Sequence, residues 1–70
     1  MKISSVKEML MKFFWGCDIR TKGELERKVE ACTIAIACEE DFLRLEQYDG
    51  EIYRYRITTK GKTYRDAFQK

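Results

Sequence analysis

Few of the residue types that carry most enzyme chemistry occur in this chain. It has no histidine and three cysteines, Cys17, Cys32 and Cys38. Without an imidazole the usual general base near neutral pH is missing, and no serine or cysteine has a plausible activating partner in the sequence. The cysteines are odd in number, and Cys32 and Cys38 do not form a Cys-x-x-Cys pair, so neither a disulfide framework nor a common zinc spacing fits. Catalysis would have to rest on carboxylates or lysines. Glu39, Glu40 and Asp41 form the densest acidic group, but adjacent helical residues point in different directions, and no nucleophile or metal partner accompanies them. They read as a solvated helix end. The expectation is a protein without catalytic activity, cofactor or metal, whose chemistry lies in binding.

The charges that would do the binding are unevenly spread. A net charge of +2 says little by itself. Arg20, Lys22, Arg27 and Lys28 gather in the second quarter, Arg54, Arg56, Lys60, Lys62 and Arg65 gather in the last, and the acidic cluster separates them. The elements that position these groups must share one small core. At 70 residues the chain supports one domain, covering residues 1–70, and a chain of this size hides only about 60% of the surface its unfolded form exposes. With cross-links and metals disfavoured, oligomerisation is the remaining device for stabilising a thin core. No apolar run approaches the length of a membrane span, so the chain reads as soluble, reduced and cytoplasmic.

The first helix is predicted from Ser5 to about Cys17. Ser5 and Glu8 form a capping box, and Val6, Met9, Leu10, Phe13, Phe14 and Cys17 follow helical spacing along one stripe. Met11 and Trp15, four apart, add a second apolar row. Thr21 and Glu24 make a second capping box, opening a helix over TKGELERKVEA with Leu25 and Val29 inward. Gly23 sits in its first turn, at some cost in helix propensity. The stretch CTIAIACEED fits either a buried strand or a short helix, and its alanines and closing acids favour a helix from Thr33 to about Asp41.

The strongest local signal is FLRLEQYDGEIYRYRIT, in which two alternating runs flank Asp49-Gly50. A two-residue Asp-Gly loop would oppose Leu45 to Arg54 and mix apolar with charged side chains on both faces. A three-residue loop, Tyr48-Asp49-Gly50 with Gly50 left-handed, separates them: Leu43, Leu45, Tyr53, Tyr55 and Ile57 on one face, Arg44, Glu46, Ile52, Arg54 and Arg56 on the other. The separated arrangement is the expected one. A hydroxyl of the Thr58-Thr59 pair can then cap a closing helix with Tyr64, Ala67 and Phe68 on one face.

Three helices, a hairpin and a closing helix in this order resemble the winged helix-turn-helix family of DNA-binding domains. RTKGELERKV is similar to the family's second helix, and YRYRITTKGKTYRDAF is similar to its return strand, Thr-x-Lys-Gly turn and final helix. The resemblance implies an α+β fold and double-stranded DNA as partner, with the third helix in the major groove and basic wing residues on the backbone. It points to a dimeric regulator of a virus, plasmid or other mobile element, with Thr21, Lys22, Thr33, Arg54, Arg56 and Lys60 as DNA-binding residues. The third helix departs from the pattern: it holds no Arg, Lys, Asn or Gln to read base edges, and Glu30 or its neighbours occupy the usual small-residue bend. A second class stays open, a protein-interaction module acting as an inhibitor or assembly factor.

The second apolar row suggests a homodimer joined through helix 1, with Met11, Phe14 and Trp15 at the contact. Plainer readings stand beside both ideas. Arg54 and Arg56 can simply pair with Glu46 across the hairpin, and Met11 and Trp15 can complete a small core.

Overall fold

The computed structural model describes residues 2–67, apart from the side chain of Tyr48. The predicted contribution of Phe68 to the last helix lies outside the described residues. The elements follow the order α1 (Val6–Phe13), β1 (Ile19–Thr21), α2 (Lys22–Lys28), α3 (Ala31–Glu39), β2 (Leu43–Asp49), β3 (Ile52–Ile57) and α4 (Thr59–Asp66). Four helices and one antiparallel three-stranded sheet make an α+β chain, with the strands in the order β1-β3-β2.

Local chemistry accounts for most of these boundaries. Ser5 caps α1, its hydroxyl accepting from the Glu8 amide at 3.4 Å. The helix stops at Phe13, a turn short of the predicted end near Cys17, because the chain turns left-handed at Gly16 and side chains from elsewhere take its last carbonyls. Arg20 Nε donates to the Phe13 carbonyl at 2.7 Å, and Arg65 Nη1 donates to that of Phe14 at 2.6 Å. Thr58 caps α4, accepting from the Gly61 amide at 2.9 Å. Residues 33–41 resolve in favour of helix, since α3 runs through Ala31–Glu39. Between α2 and α3 the bend consists of two extended residues, Val29 and Glu30. It is pinned by Ile3, which accepts from the Glu30 amide at 3.0 Å and donates to the Lys28 carbonyl at 3.1 Å.

The hairpin separates its faces as expected, through a different register. Leu43 pairs with Ile57, Leu45 with Tyr55 and Gln47 with Tyr53, and the irregularity falls between Gln47 and Asp49, so that Asp49 opposes Ile52. The loop is therefore Gly50-Glu51 rather than Tyr48-Asp49-Gly50. The stem pairing differs from the expected one by two residues, an even number, which leaves every stem side chain on its predicted face. Gly50 is left-handed, with φ 59°. β1 was not anticipated: Ile19, Arg20 and Thr21 pair with Arg56, Tyr55 and Arg54. The core lies between the helices and the inner face of the sheet, with Met9, Leu10, Phe14, Leu25, Val29 and Leu43 fully or almost fully buried. Phe42 stacks on Tyr64 with ring centroids 4.4 Å apart, which seats α4 against the start of β2.

Gly61 permits that seating. A Cβ at this position would run into the Phe42 carbonyl oxygen and the Ile57 side chain. Gly61→Ala is expected to destabilise the fold by about 1–3 kcal/mol through overpacking against backbone. Gly50→Ala, with open space around it but a positive φ, should cost about 1 kcal/mol. Urea unfolding measures both, and wild-type stability in Gly61→Ala would refute this packing of α4.

Candidate nucleic-acid interface

The alternation of the hairpin builds an outer sheet face from charged side chains. Residues directly paired across strands lie on one side, so Arg44 stands opposite Arg56 and Glu46 opposite Arg54, with Thr21 of β1 beside Arg54. Two like charges facing one another are unfavourable, and Glu46 offsets this. Arg54 Nε donates to Glu46 Oε1 at 2.8 Å, while Arg56 reaches both carboxylate oxygens, at 3.1 and 3.2 Å. Those bonds, Arg56 first and Arg54 second, hold the Glu46 carboxyl below its ordinary value, and the same carboxylate raises Arg56. Arg44 remains largely exposed, with only a long contact of 3.9 Å to Asp41. At the foot of this face a groove is lined by Arg44, Arg56, Lys60 and Lys62 together with Asp18 and Asp41. Lys62 pairs with Asp18 at 3.1 Å, and Lys60 lies over the Phe42 ring, 5.6 Å from its centroid.

The predicted DNA-binding residues divide accordingly. Thr21, Arg54 and Arg56 come together on the outer face. Lys60 stands at its foot. Lys22 is turned to Glu26, 3.0 Å away, which also accepts from the Tyr55 hydroxyl at 3.0 Å. Burial and that acceptor push the Tyr55 phenol far above its ordinary range. Thr21 precedes α2 but makes no side-chain cap bond, and Glu24 lies near Arg20 at 3.6 Å instead of closing the capping box. Thr33 is a correction: only 1% exposed, it faces the core and offers nothing to DNA. Its hydroxyl has no hydrogen-bond partner among the described residues. Arg44 and Lys62 were missed as site residues. For Arg44 the signal was present, since the alternation already put it on the face of Arg54 and Arg56.

The expected helix 1 contact also needs correction. Phe14 is fully buried in the core, and Trp15 lies beyond the end of α1, so Met11, Phe14 and Trp15 do not share one helical surface. Arg65 stacks over the Trp15 ring at 5.1 Å from its centroid. The larger exposed apolar surface lies elsewhere. Ile36 of α3 is 49% exposed, and on the inner face of the hairpin Leu45, on the edge strand, is 48% exposed and Tyr53, nearer the tip, also reaches solvent.

No group of metal-ligating side chains occurs among the described residues, and no helix among them is long and apolar enough to cross a membrane. Burial raises the Cys38 thiol, which keeps it protonated. No protein family, curated protein or solved structure matches the chain.

Two outcomes test this geometry. Thr33→Val, which removes an unsatisfied buried hydroxyl at nearly constant shape, is expected to raise stability by roughly 1 kcal/mol in denaturant unfolding; a loss of stability would mean that the hydroxyl is bonded. Glu46 has a lowered carboxyl, so its stabilising share is complete above the ordinary carboxylate pKa and disappears as pH falls through the lowered value. Glu46→Gln should therefore be less stable than wild type near neutrality, and the two should converge at the acid end of a pH series of melting curves. A constant gap down to the most acidic point would exclude the ion pairs as its cause.

Proposed function

We propose that this chain is a winged helix-turn-helix domain that binds duplex DNA through the phosphate backbone, without catalysis and without reading base edges. The fold part of the reading is supported by the order helix, strand, helix, helix, hairpin, helix with strands arranged β1-β3-β2 and by the packing of α2 and α3 around a two-residue bend. The observation that carries the function is the outer sheet face: Arg54 and Arg56 share one carboxylate, Arg44 stands opposite Arg56, and Lys60 and Lys62 extend the basic surface at its foot. α3 contributes no cation. Its exposed residues are Ala31, Cys32, Ala35, Ile36 and Glu39, which supply neither the bidentate donors for guanine nor the amides for adenine. Binding of this kind is sequence-tolerant and salt-dependent, with each phosphate contact contributing about 0.9 to the slope of log affinity against log salt.

A salt titration of anisotropy on random duplexes tests it. Replacing Arg44, Arg54 and Arg56 together by alanine should flatten the slope by about two to three units and weaken all duplexes alike. Glu46→Gln separates function from architecture. It removes the carboxylate that competes with phosphate, so affinity should rise even though stability falls. No binding by wild type at low salt, or unchanged binding by the folded triple variant, would refute the reading.

A second reading, a protein-interaction module on the same fold, is favoured by the groove that α3 and the hairpin share, where Ala31, Ala35 and Leu45 are exposed. The two surfaces lie on opposite faces of the hairpin and do not exclude one another.

A further inference from the structure

β2 closes the sheet on one side. In the order β1-β3-β2 one edge of Leu43–Asp49 meets β3 and the other meets no strand among the described residues. Two backbone bonds tell which groups face out. The Thr58 amide donates to the Phe42 carbonyl at 2.9 Å, and the Ile57 amide donates away from β2, to Asp18 at 2.9 Å. In an antiparallel pair these orientations alternate, so Arg44 and Glu46 turn their peptide groups to β3. Leu43, Leu45 and Gln47 direct both N–H and C=O to the open edge. A groove runs beside it, lined mainly by apolar side chains such as Ala31, Ala35 and Leu45, with Glu26, Asp41 and Arg44 among them. An open strand edge of this length is a template for another strand.

We infer that the open edge of β2 pairs with β2 of a second copy of this chain, antiparallel and centred on Leu45, joining two sheets into one. The argument for a second copy is self-complementarity. Outward peptide groups are satisfied only when residues 43, 45 and 47 of one strand oppose outward-facing residues of the other. A register centred on Arg44 would set that arginine against itself, and one centred on Glu46 would do the same to the carboxylate; both are repulsive. Centred on Leu45, each Arg44 opposes Glu46 of the partner subunit on the outer face. On the inner face Leu45 meets its own copy, and Leu43 meets Gln47. Arg44 is free to serve, since its side chain is 72% exposed and its contact with Asp41 is long. The small outward residues Ala31 and Ala35 of α3 let the two helices approach across the groove, and Leu45 loses its exposure. Such a two-fold contact is isologous and closes on itself. The inference commits the apolar surface of the second reading to one occupant. It does not depend on DNA binding, whose failure the salt titration would report separately.

Sedimentation of the full chain over a range of concentrations tests it. Wild type should show a monomer–dimer equilibrium within the micromolar range. Leu45→Lys should abolish it, and Arg44→Glu, which sets two carboxylates face to face, should weaken it by roughly tenfold or more. Trp15→Glu should leave association unchanged. Amide exchange of wild type gives a readout independent of variant folding: the Leu43, Leu45 and Gln47 amides should become protected as concentration rises, while those of Ile19 and Arg20 should not change. Two results would overturn the pairing. One is a wild-type chain that stays monomeric throughout, which would leave the edge to an extended strand of a different protein. The other is a dimer indifferent to Leu45→Lys, with no new protection along β2.

Discussion

Two guanidinium groups bound to the end of α1 hold this structure in register. A helix leaves its last carbonyls without partners, and here two of these oxygens, those of Phe13 and Phe14, are taken by Arg20 from β1 and Arg65 from α4. Each bond is charge-assisted, places a cation at the negative end of a helix dipole, and contributes on the order of 1.5–3 kcal/mol. Together they fix β1 and α4 against α1, although the two arginines are far apart in the chain. The same contact ends α1 early and brings a guanidinium over Trp15, so an indole that looks stranded in the sequence has a cover. It also removes two cations from any phosphate-binding role.

How much of this could be read from the sequence depends on whether the signal was local. The buried stripe Met9, Leu10, Phe13 and Phe14 was legible because side-chain spacing and helix period are tied together, and the Ser5 and Thr58 caps because a hydroxyl three residues before an amide needs no distant partner. The hairpin faces survived an error in the loop because strand parity, and not loop length, sorts side chains. β1 was invisible. Its three residues carry no alternation of their own and become a strand only because β3 offers an edge. Thr21 resembled a helix cap for the same reason, its role being decided by Arg54 opposite it. Thr33 was assigned to a surface by analogy of position, and Phe14, although part of the buried stripe, to a contact beside the Met11 and Trp15 row; burial, set by the packing of four helices, overrode both. Of the residues expected to bind DNA, Arg54 and Arg56 share the outer face that alternation predicted, whereas the surroundings of Lys22 and Thr33 come from other elements and were not legible.

The sheet's two faces carry different chemistry. On the outer face, one carboxylate holds two arginines in place and leaves the surface cationic. On the inner face, burial falls off in two directions. Leu45 stands opposite the buried Tyr55 but lies on the open edge strand and is half exposed, while Tyr53, one pair nearer the tip, reaches solvent. Leu43 and Tyr55 stay buried, so changes at the edge or near the tip disturb the core little.

The strand order has a kinetic side. β2 and β3 are neighbours in the chain and meet across a two-residue loop, whereas β1 reaches β3 only after α2, α3 and the hairpin have been brought together. Closing that long loop costs entropy before any ladder bond forms. The hairpin and the α2–α3 pair are therefore the early units, and the docking of β1, with Arg20 attached to it, is the late step that locks α1. The ladder bonds of Ile19, Arg20 and Thr21 are accordingly those expected to close last.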